Sequence, residues 1–312
     1  MTETTKEILE KYQVRKTKKQ KTAFIEYVQQ IAAQHHYDCK VETGSFGVRN
    51  IVVGNPDTAK VLYTAHYDTC SLLPFPNFIT PKNFSLYLLY QILVVCVFFA
   101  AFAAFGFLLG VVVNLLPASE DIMDKIKTFI PLVAYLALFF LFLGGPASKN
   151  TANDNTSGVT TILDIMAELP QDQRDKVAFV LFDLEESGIL GSASFASKHK
   201  AVKQNTLVIN LDCVSDGETM LFALKKTTTQ YAELLEKSFV STPEVTADIA
   251  KVLYYPSDNV SFKGGIGVVA LNKSKRFGIL YMDKIHTKKD VVYREENIRF
   301  LTDGAIKLAQ NL

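Results

Sequence analysis

No pairing is written into the four cysteines of this 312-residue chain: Cys39, Cys70, Cys96 and Cys213 are scattered, and none stands in a C-x-x-C step. That spacing argues against a disulfide framework and against a cysteine zinc site, and a reduced compartment is the simpler setting. Charge of one sign is not in excess either. Lys and Arg total 33 against 32 Asp and Glu, for a net charge of +1, so nothing electrostatic points to nucleic acid or to a strongly acidic partner. The opening stretch, MTETTKEILEKYQVRKTKKQK, is polar and has no apolar core behind it, so no secretory signal is predicted there. Two stretches lack charge altogether, between Lys82 and Glu120 and between Lys127 and Lys149. Each is longer than the roughly 20 apolar residues that cross a bilayer.

What is present falls into three parts. Glu3 to about Gln34 reads as helix, with Ile8, Leu9, Tyr12, Phe24, Ile25, Val28 and Ile31 at helical spacing around a basic run, Arg15 to Lys21. That run is expected to be a solvated face, with contact to anionic lipid headgroups as the alternative. Short strand-like runs follow: CKVET, RNIVVG and KVLYTAHYDT. Next come SLYLLYQILVVCVFFAAFAAFGFLLGVVVNLLP and TFIPLVAYLALFFLFLGG, two all-apolar helices expected over about 85–117 and 128–145, joined by polar ASEDIMDKIK. A soluble helix that is apolar all round for thirty residues is rare, so a transmembrane hairpin is expected rather than a buried core hairpin. Gly106 and Gly110 form a GxxxG step that lets the two helices, or two copies of the chain as a homo-oligomer, pack closely.

After Lys149, strand and helix alternate: SGVTTILDIMAEL (helix), KVAFVLFD (strand), GSASFASKH (helix), TLVINLDCV (strand), TTQYAELLEKSFV (helix), VVAL and FGILYM (strands), and a closing helix in NIRFLTDGAIKLAQNL. Near-continuous apolar strands alternating with helices predict an α/β fold with a mostly parallel, mixed sheet sandwiched by helices. The expected domains are a discontinuous α/β unit, 1–82 and 146–312, and an inserted helical hairpin over 83–145.

Ligands in such sheets bind beyond the carboxyl ends of the strands, and the acids and imidazoles fall there. His66 and Asp68 close VLYTAHYD, Asp183, Glu185 and Glu186 close VAFVLFDLEE, Asp212 closes TLVINLD, and His286 follows FGILYM; Asp154 sits in NDNTSG at the start of a helix. Each alone has an ordinary explanation as a cap or a satisfied polar group. Together, so many carboxylates and two imidazoles at one sheet edge would repel and desolvate one another unless cations held them. Histidine with carboxylate and no thiolate suits a hydrolytic zinc site.

HYD, NDNTSG, LEESGILGS, NLD and HTKKD, in that order, resemble the metal-site motifs of the di-zinc aminopeptidases of metallopeptidase family 28, the group of bacterial leucyl aminopeptidase and aminopeptidase Y. SDNVSFKGGIGVV resembles the same family's stretch ahead of the last histidine. The resemblance covers residues from about 20 to 312 except the hairpin. It implies a zinc-exopeptidase fold and two Zn2+ per chain, with His66 and Asp212 on one, Glu186 and His286 on the other, and Asp154 bridging. It also implies a cis Asp154–Asn155 peptide and Glu185 as general base. Asp68 is the candidate to fix the His66 tautomer, and Asp290 a second candidate for the same duty toward His286.

The chain departs from the family in the long Asp68–Asp154 connection that holds the hairpin, in Asn153 where relatives often carry an acid, and in Ile285 and Lys288 beside the last histidine. These differences bear on the substrate pocket more than on the ligand set. The reading that results is a membrane-anchored zinc exopeptidase, an aminopeptidase acting on peptide substrates at the face of a lipid bilayer. Its catalytic domain is expected on the cytoplasmic side of the cell membrane from the flanking Arg15–Lys21 and Lys149. The alternatives are a catalytically silent receptor or scaffold on the same fold, and a glutaminyl-cyclase-like transferase with a single zinc.

Overall fold

Helix α1 (Glu3–Lys11) opens the chain and α2 (Lys18–Gln34) follows, capped by Thr17 and Gln20 in a reciprocal capping box. This computed structural model describes residues 1–73, 75–115 and 120–312. The single amino-terminal helix expected from the periodicity is therefore two. The break between Tyr12 and Thr17 turns Arg15 inward, where it is fully buried and donates to the carbonyls of Tyr67 and Tyr12 and to Thr156 Oγ1. Lys21 is buried too, 2.5 Å from Asp183. The basic run is therefore only in part the solvated face expected: Lys18 and Lys19 are exposed, while Arg15 and Lys21 turn inward to buried acceptors.

Strands β1 (Cys39–Thr43), β2 (Arg49–Val53) and β3 (Val61–His66) come next. The apolar helices α3 (Phe84–Asn114) and α4 (Glu120–Gly144) then interrupt the α/β pattern. It resumes with α5 (Gly158–Glu168), β4 (Val177–Phe182), α6 (Leu190–Lys198), α7 (Lys200–Asn205), β5 (Leu207–Leu211), β6 (Thr219–Leu224) and α8 (Ala232–Ser238). β7 (Thr246–Lys251), β8 (Gly265–Lys273), β9 (Leu280–Tyr281) and α9 (Glu295–Gln310) complete the chain. Strands β6 and β7 were not expected, although TMLFAL is a continuous buried run. FGILYM supplies only two strand residues.

The sheet order is β1-β2-β4-β3-β5-β8-β6-β7, with β9 paired to β8. Its centre, β4-β3-β5-β8, is parallel, while β1/β2, β2/β4 and β6/β8 are antiparallel. The expected mixed α/β sheet flanked by helices is thus what forms. Alternation along the buried strands divides the core. Val61, Tyr63 and Ala65 of β3 and Val177, Phe179 and Leu181 of β4 meet helices α1, α2, α5, α8 and α9, whereas Leu62, Ala178, Val180 and Phe182 meet Phe195, Ala196 and Val202 of α6 and α7.

Since β3 lies between β4 and β5, the winding reverses direction there. A reversal of this kind opens a crevice at the carboxyl ends of the strands.

The insertion leaves and re-enters beside that crevice. Ser71 bridges Ala147, Leu72 N donates to Pro146 O at 2.9 Å, and Ser148 N donates to Cys70 O at 3.2 Å. Helix α4 starts earlier than the sequence suggested, so residues 120–127 of the polar link are helical; the rest of that link, and the end of the first expected helix, touch residues 116–119, outside the described ones. Among the described residues one segment, Phe84–Val112, is long and apolar enough to cross a membrane, and none of its most apolar window is buried. Between α3 and α4, Tyr135 Oη donates to Phe102 O at 3.0 Å and the two rings stack at 5.2 Å. A Cβ on Gly106 would lie 2.0 Å from that hydroxyl, while one on Gly110 would meet nothing within 4 Å.

Candidate metal centre

Three parallel strands deliver the acids. β3 ends on His66, the turn after β4 carries Glu185 and Glu186, and β5 is followed at once by Asp212. Asp154 comes from the turn before α5, through an Asp154–Asn155 peptide that is cis, and His286 from the segment after β9. Leu184 and His286 both adopt positive φ, 55° and 61°, a conformation that costs non-glycine residues free energy and clusters at functional sites. All five sequence-derived ligand candidates, and Glu185, converge.

Two nests of donor atoms result. His66, Asp154 and Asp212 each offer an atom within 4.8 Å of the others, and so do Cys70, Asp154, Glu186 and His286. Asp154 belongs to both. Its Oδ1 is 3.3 Å from His66 Nε2, and its Oδ2 is 2.9 Å from His286 Nε2. His66 Nε2 is also 3.6 Å from Asp212 Oδ1, and His286 Nε2 is 3.5 Å from Glu186 Oε2. Glu185 forms a further set with His66 and Glu186, again within 4.8 Å.

The surrounding residues hold this constellation by its backbone. Asp68 faces His66 Nδ1 with its carbonyl at 3.1 Å and its carboxylate at 3.6 Å. The same carboxylate accepts the N–H groups of Glu185 at 3.0 Å and Glu186 at 3.2 Å, so it orients the adjacent acids as well as the imidazole. Asp290 does not act on His286. Its carboxylate instead accepts the N–H groups of Asn153 at 2.7 Å and Asp154 at 3.0 Å, clamping the turn that presents Asp154. Asn153 Oδ1 accepts from Ser215 N and Asp216 N, and Asn155 Oδ1 from Gly158 N and Cys213 N. These amide clamps need partners distant in sequence and left no local signal. Asp183 is drawn away from the cluster by Lys21 and by the N–H groups of Arg49 and Leu184.

Proton affinities follow the geometry. Burial works to raise the Asp154 pKa, but hydrogen bonds from His286 and His66 overcome it and hold the carboxyl well below the usual range. Burial, with Asp154 nearby, pushes Glu186 up to about 8. Glu185 is raised well above its ordinary value by burial, and Asp212 and Glu186 add to this. Burial works to lower His286, yet Glu186 and Asp154 carry it to about 9. The cluster attracts positive charge more strongly than its own imidazoles satisfy. Glu186 Oε1 is buried with no hydrogen-bond partner among the described residues, an arrangement that costs free energy unless something coordinates it. Imidazole nitrogens and carboxylates with one carboxylate shared between two nests fit zinc.

Sequence reasoning gave Arg15, Cys70 and Asp258 no part in the site. Cys70 is buried within the Glu186–His286 nest. Asp258, in the SDNVSF stretch, buries both carboxylate oxygens without a partner among the described residues, and burial raises it to about 7. Single cysteines and aspartates on loops carry no periodic signal, so only their folded positions set them apart.

The sequence profile described as Peptidase family M28 matches residues 137–301, more than half of the chain. The chain belongs to peptidase family M28. The M28 stretch contains Asp154, Glu185, Glu186, Asp212 and His286; His66 and Asp68 precede it and join the site through β3. No curated protein matches the chain by sequence. Solved structures share the fold at low identity. The Legionella pneumophila LapA aminopeptidase is 14% identical with a TM-score of 0.55, covering 98% of this chain and 69% of its own. A glutaminyl cyclase from Porphyromonas gingivalis is 15% identical with a TM-score of 0.60, covering 98% and 95%. A leucine aminopeptidase precursor from Bacteroides thetaiotaomicron is 13% identical with a TM-score of 0.58, covering 99% and 94%. As an M28 chain, the protein is a metallopeptidase of a zinc-dependent family.

Proposed function

We propose that this M28 chain is a membrane-anchored aminopeptidase holding two zinc ions. The observation that carries the reading is the division of Asp154 between two nests, one oxygen toward His66 and Asp212 and the other toward His286 and Glu186. His66, Asp212, Glu186, His286 and the shared Asp154 are the residues that would hold the metal. Zinc bound there supplies polarisation of the scissile carbonyl and acidification of water at neutral pH. Glu185 is not needed as a ligand and lies within reach of both nests, so its carboxylate takes the proton from the attacking water and returns it to the leaving amine. Asp68 keeps Glu185 in place through its backbone N–H.

Exopeptidase action is supported by a cavity of about 250 Å³ against the cluster, walled by Phe84, Tyr87, Tyr254, Tyr255 and Ile285. Its size suits one apolar side chain, and the carboxylates at its floor suit the ammonium of a peptide amino terminus. Anchoring is supported by the length and exposed apolar surface of α3, a patch larger than soluble monomers ordinarily leave uncovered. The α3–α4 hairpin then crosses the bilayer as an insertion between 83 and 145, and Gly110 remains open to a second copy. A cytoplasmic position for the catalytic domain is supported by exposed Lys18, Lys19 and Lys149 near the hairpin's ends, following the excess of basic residues on that side of membranes.

The test is metal content and turnover of the full chain in detergent. About two zinc per chain, with hydrolysis of free but not amino-blocked leucyl peptides, is expected. Glu185→Gln should keep the metal and lose about 10²- to 10⁴-fold in kcat. One zinc with cyclisation of amino-terminal glutamine would favour the transferase reading, and a metal-free, inert protein would favour a silent scaffold.

A further inference from the structure

A second and larger cavity, about 1200 Å³, meets the same cluster and reaches the apolar helices α3 and α4. It shares Asn77, Glu186 and His286 with the smaller pocket, so one substrate can occupy both with its reacting bond between them. Its far wall is the hairpin: Val94, Phe98 and Phe102 of α3 face it at successive turns, and Leu132 and Leu136 of α4 extend it. From Tyr90 to Phe102 that wall is about 18 Å long. Its polar side chains come mainly from the catalytic domain; the hairpin wall contributes only Tyr90, Gln91 and Tyr135, and most of the hydroxyls and ammonium groups are engaged. Tyr90 Oη donates to Pro76 O, Tyr135 Oη to Phe102 O, Lys16 to Ser71 and Gly145 O, and Lys21 to Asp183.

A peptide backbone laid along such a wall would leave its N–H and C=O groups without partners, at a cost of several kcal/mol each in an apolar setting. A hydrocarbon chain has no such groups to satisfy. We propose, resting on the aminopeptidase reading, that the substrates are amino-terminal aminoacyl amides whose leaving amine carries a long hydrocarbon chain, and that this chain lies in the groove between α3–α4 and the catalytic sheet. The amino-terminal residue then enters the smaller pocket, where the carboxylates meet its ammonium. Hydrolysis adds water across the amide: the hydroxyl goes to the acyl carbon, the C–N bond breaks, and the leaving nitrogen takes the proton from Glu185. The cleaved lipid amine stays in contact with the apolar hairpin, and the free amino acid leaves.

The groove is tested with leucyl n-alkylamides from butyl to dodecyl on the zinc-loaded full chain in one fixed detergent. kcat/KM should rise about tenfold or more across the series, since each methylene that leaves water contributes favourably. Val94→Trp, which fills the groove away from the cluster, should hydrolyse the butylamide as wild type does and lose the preference for dodecyl. In Glu185→Gln, equilibrium binding of the same amides should follow the same order, separating chain recognition from chemistry. Butylamide cleavage with no chain-length effect, or a preference that survives Val94→Trp, would overturn the groove and leave the aminopeptidase standing. Faster cleavage of N-dodecanoyl-leucine than of leucyl dodecylamide would overturn the proposed orientation. Failure to cleave any leucyl amide would overturn both readings.

Discussion

Arg15 contributes more to the site than its position in a basic run suggests. Fully buried, it donates to two carbonyls and to Thr156 Oγ1, and it stacks over the Phe24 ring at 5.1 Å. It thereby ties the α1–α2 link to the segment after His66 and to the turn that carries Asp154. Arg15→Met preserves much of the volume but strands those acceptors in the interior, and should cost about 3 kcal/mol of stability, read from the urea midpoint. Arg15→Lys should recover only part of this, since one ammonium does not reproduce the planar fork. The metal candidates were legible one by one, because histidine and carboxylate at strand ends carry a chemical signature. The supporting residues were not. Asp290 near His286 in sequence looks like its partner, yet folding aims its carboxylate at the backbone of Asn153 and Asp154.

The elements place these residues, and the insertion's stems show how. β3 and β5 lie side by side although their first positions, Val61 and Leu207, are 146 positions apart in the chain (207 − 61). The pairing of Ser71 with Ala147 closes the hairpin insertion at its base, and Leu73 N donates to His286 O at 2.7 Å. The two apolar helices then meet at Gly106, where the absent side chain lets Tyr135 approach. Gly106→Leu should displace Tyr135, break its hydrogen bond to Phe102 O and splay α3 from α4, seen as faster proteolysis of the hairpin in detergent. Gly110→Leu should leave proteolysis unchanged, because a Cβ there would meet no atom of the facing helix within 4 Å among the described residues. The GxxxG step was readable in the sequence; which of its glycines packs inside the hairpin depended on where α4 lies.

For the molecule as a whole, the proposed metal site would act on stability as well as on catalysis. Glu186 at about 8 and His286 at about 9 hold protons at neutral pH without metal, and zinc must displace them. Both pKa values are raised, so the proton competes below them and its competition fades as the pH climbs through 8 to 9. Saturating zinc should raise the Tm of the metal-free protein by roughly 10 °C at pH 8 and by clearly less at pH 6, measured by scanning calorimetry in detergent. Apolar runs, strand–helix alternation and the order of the acidic motifs are properties of neighbouring residues, so the sequence by itself determined the α/β class, the metallopeptidase family and the two apolar helices. The folded structure decided the break at Arg15, the strands β6 and β7, the duty of Asp290, and the groove that joins the catalytic cluster to α3 and α4. Those features depend on contacts between residues far apart in the chain, and such contacts exist only once the sheet has brought its strand ends to one crevice.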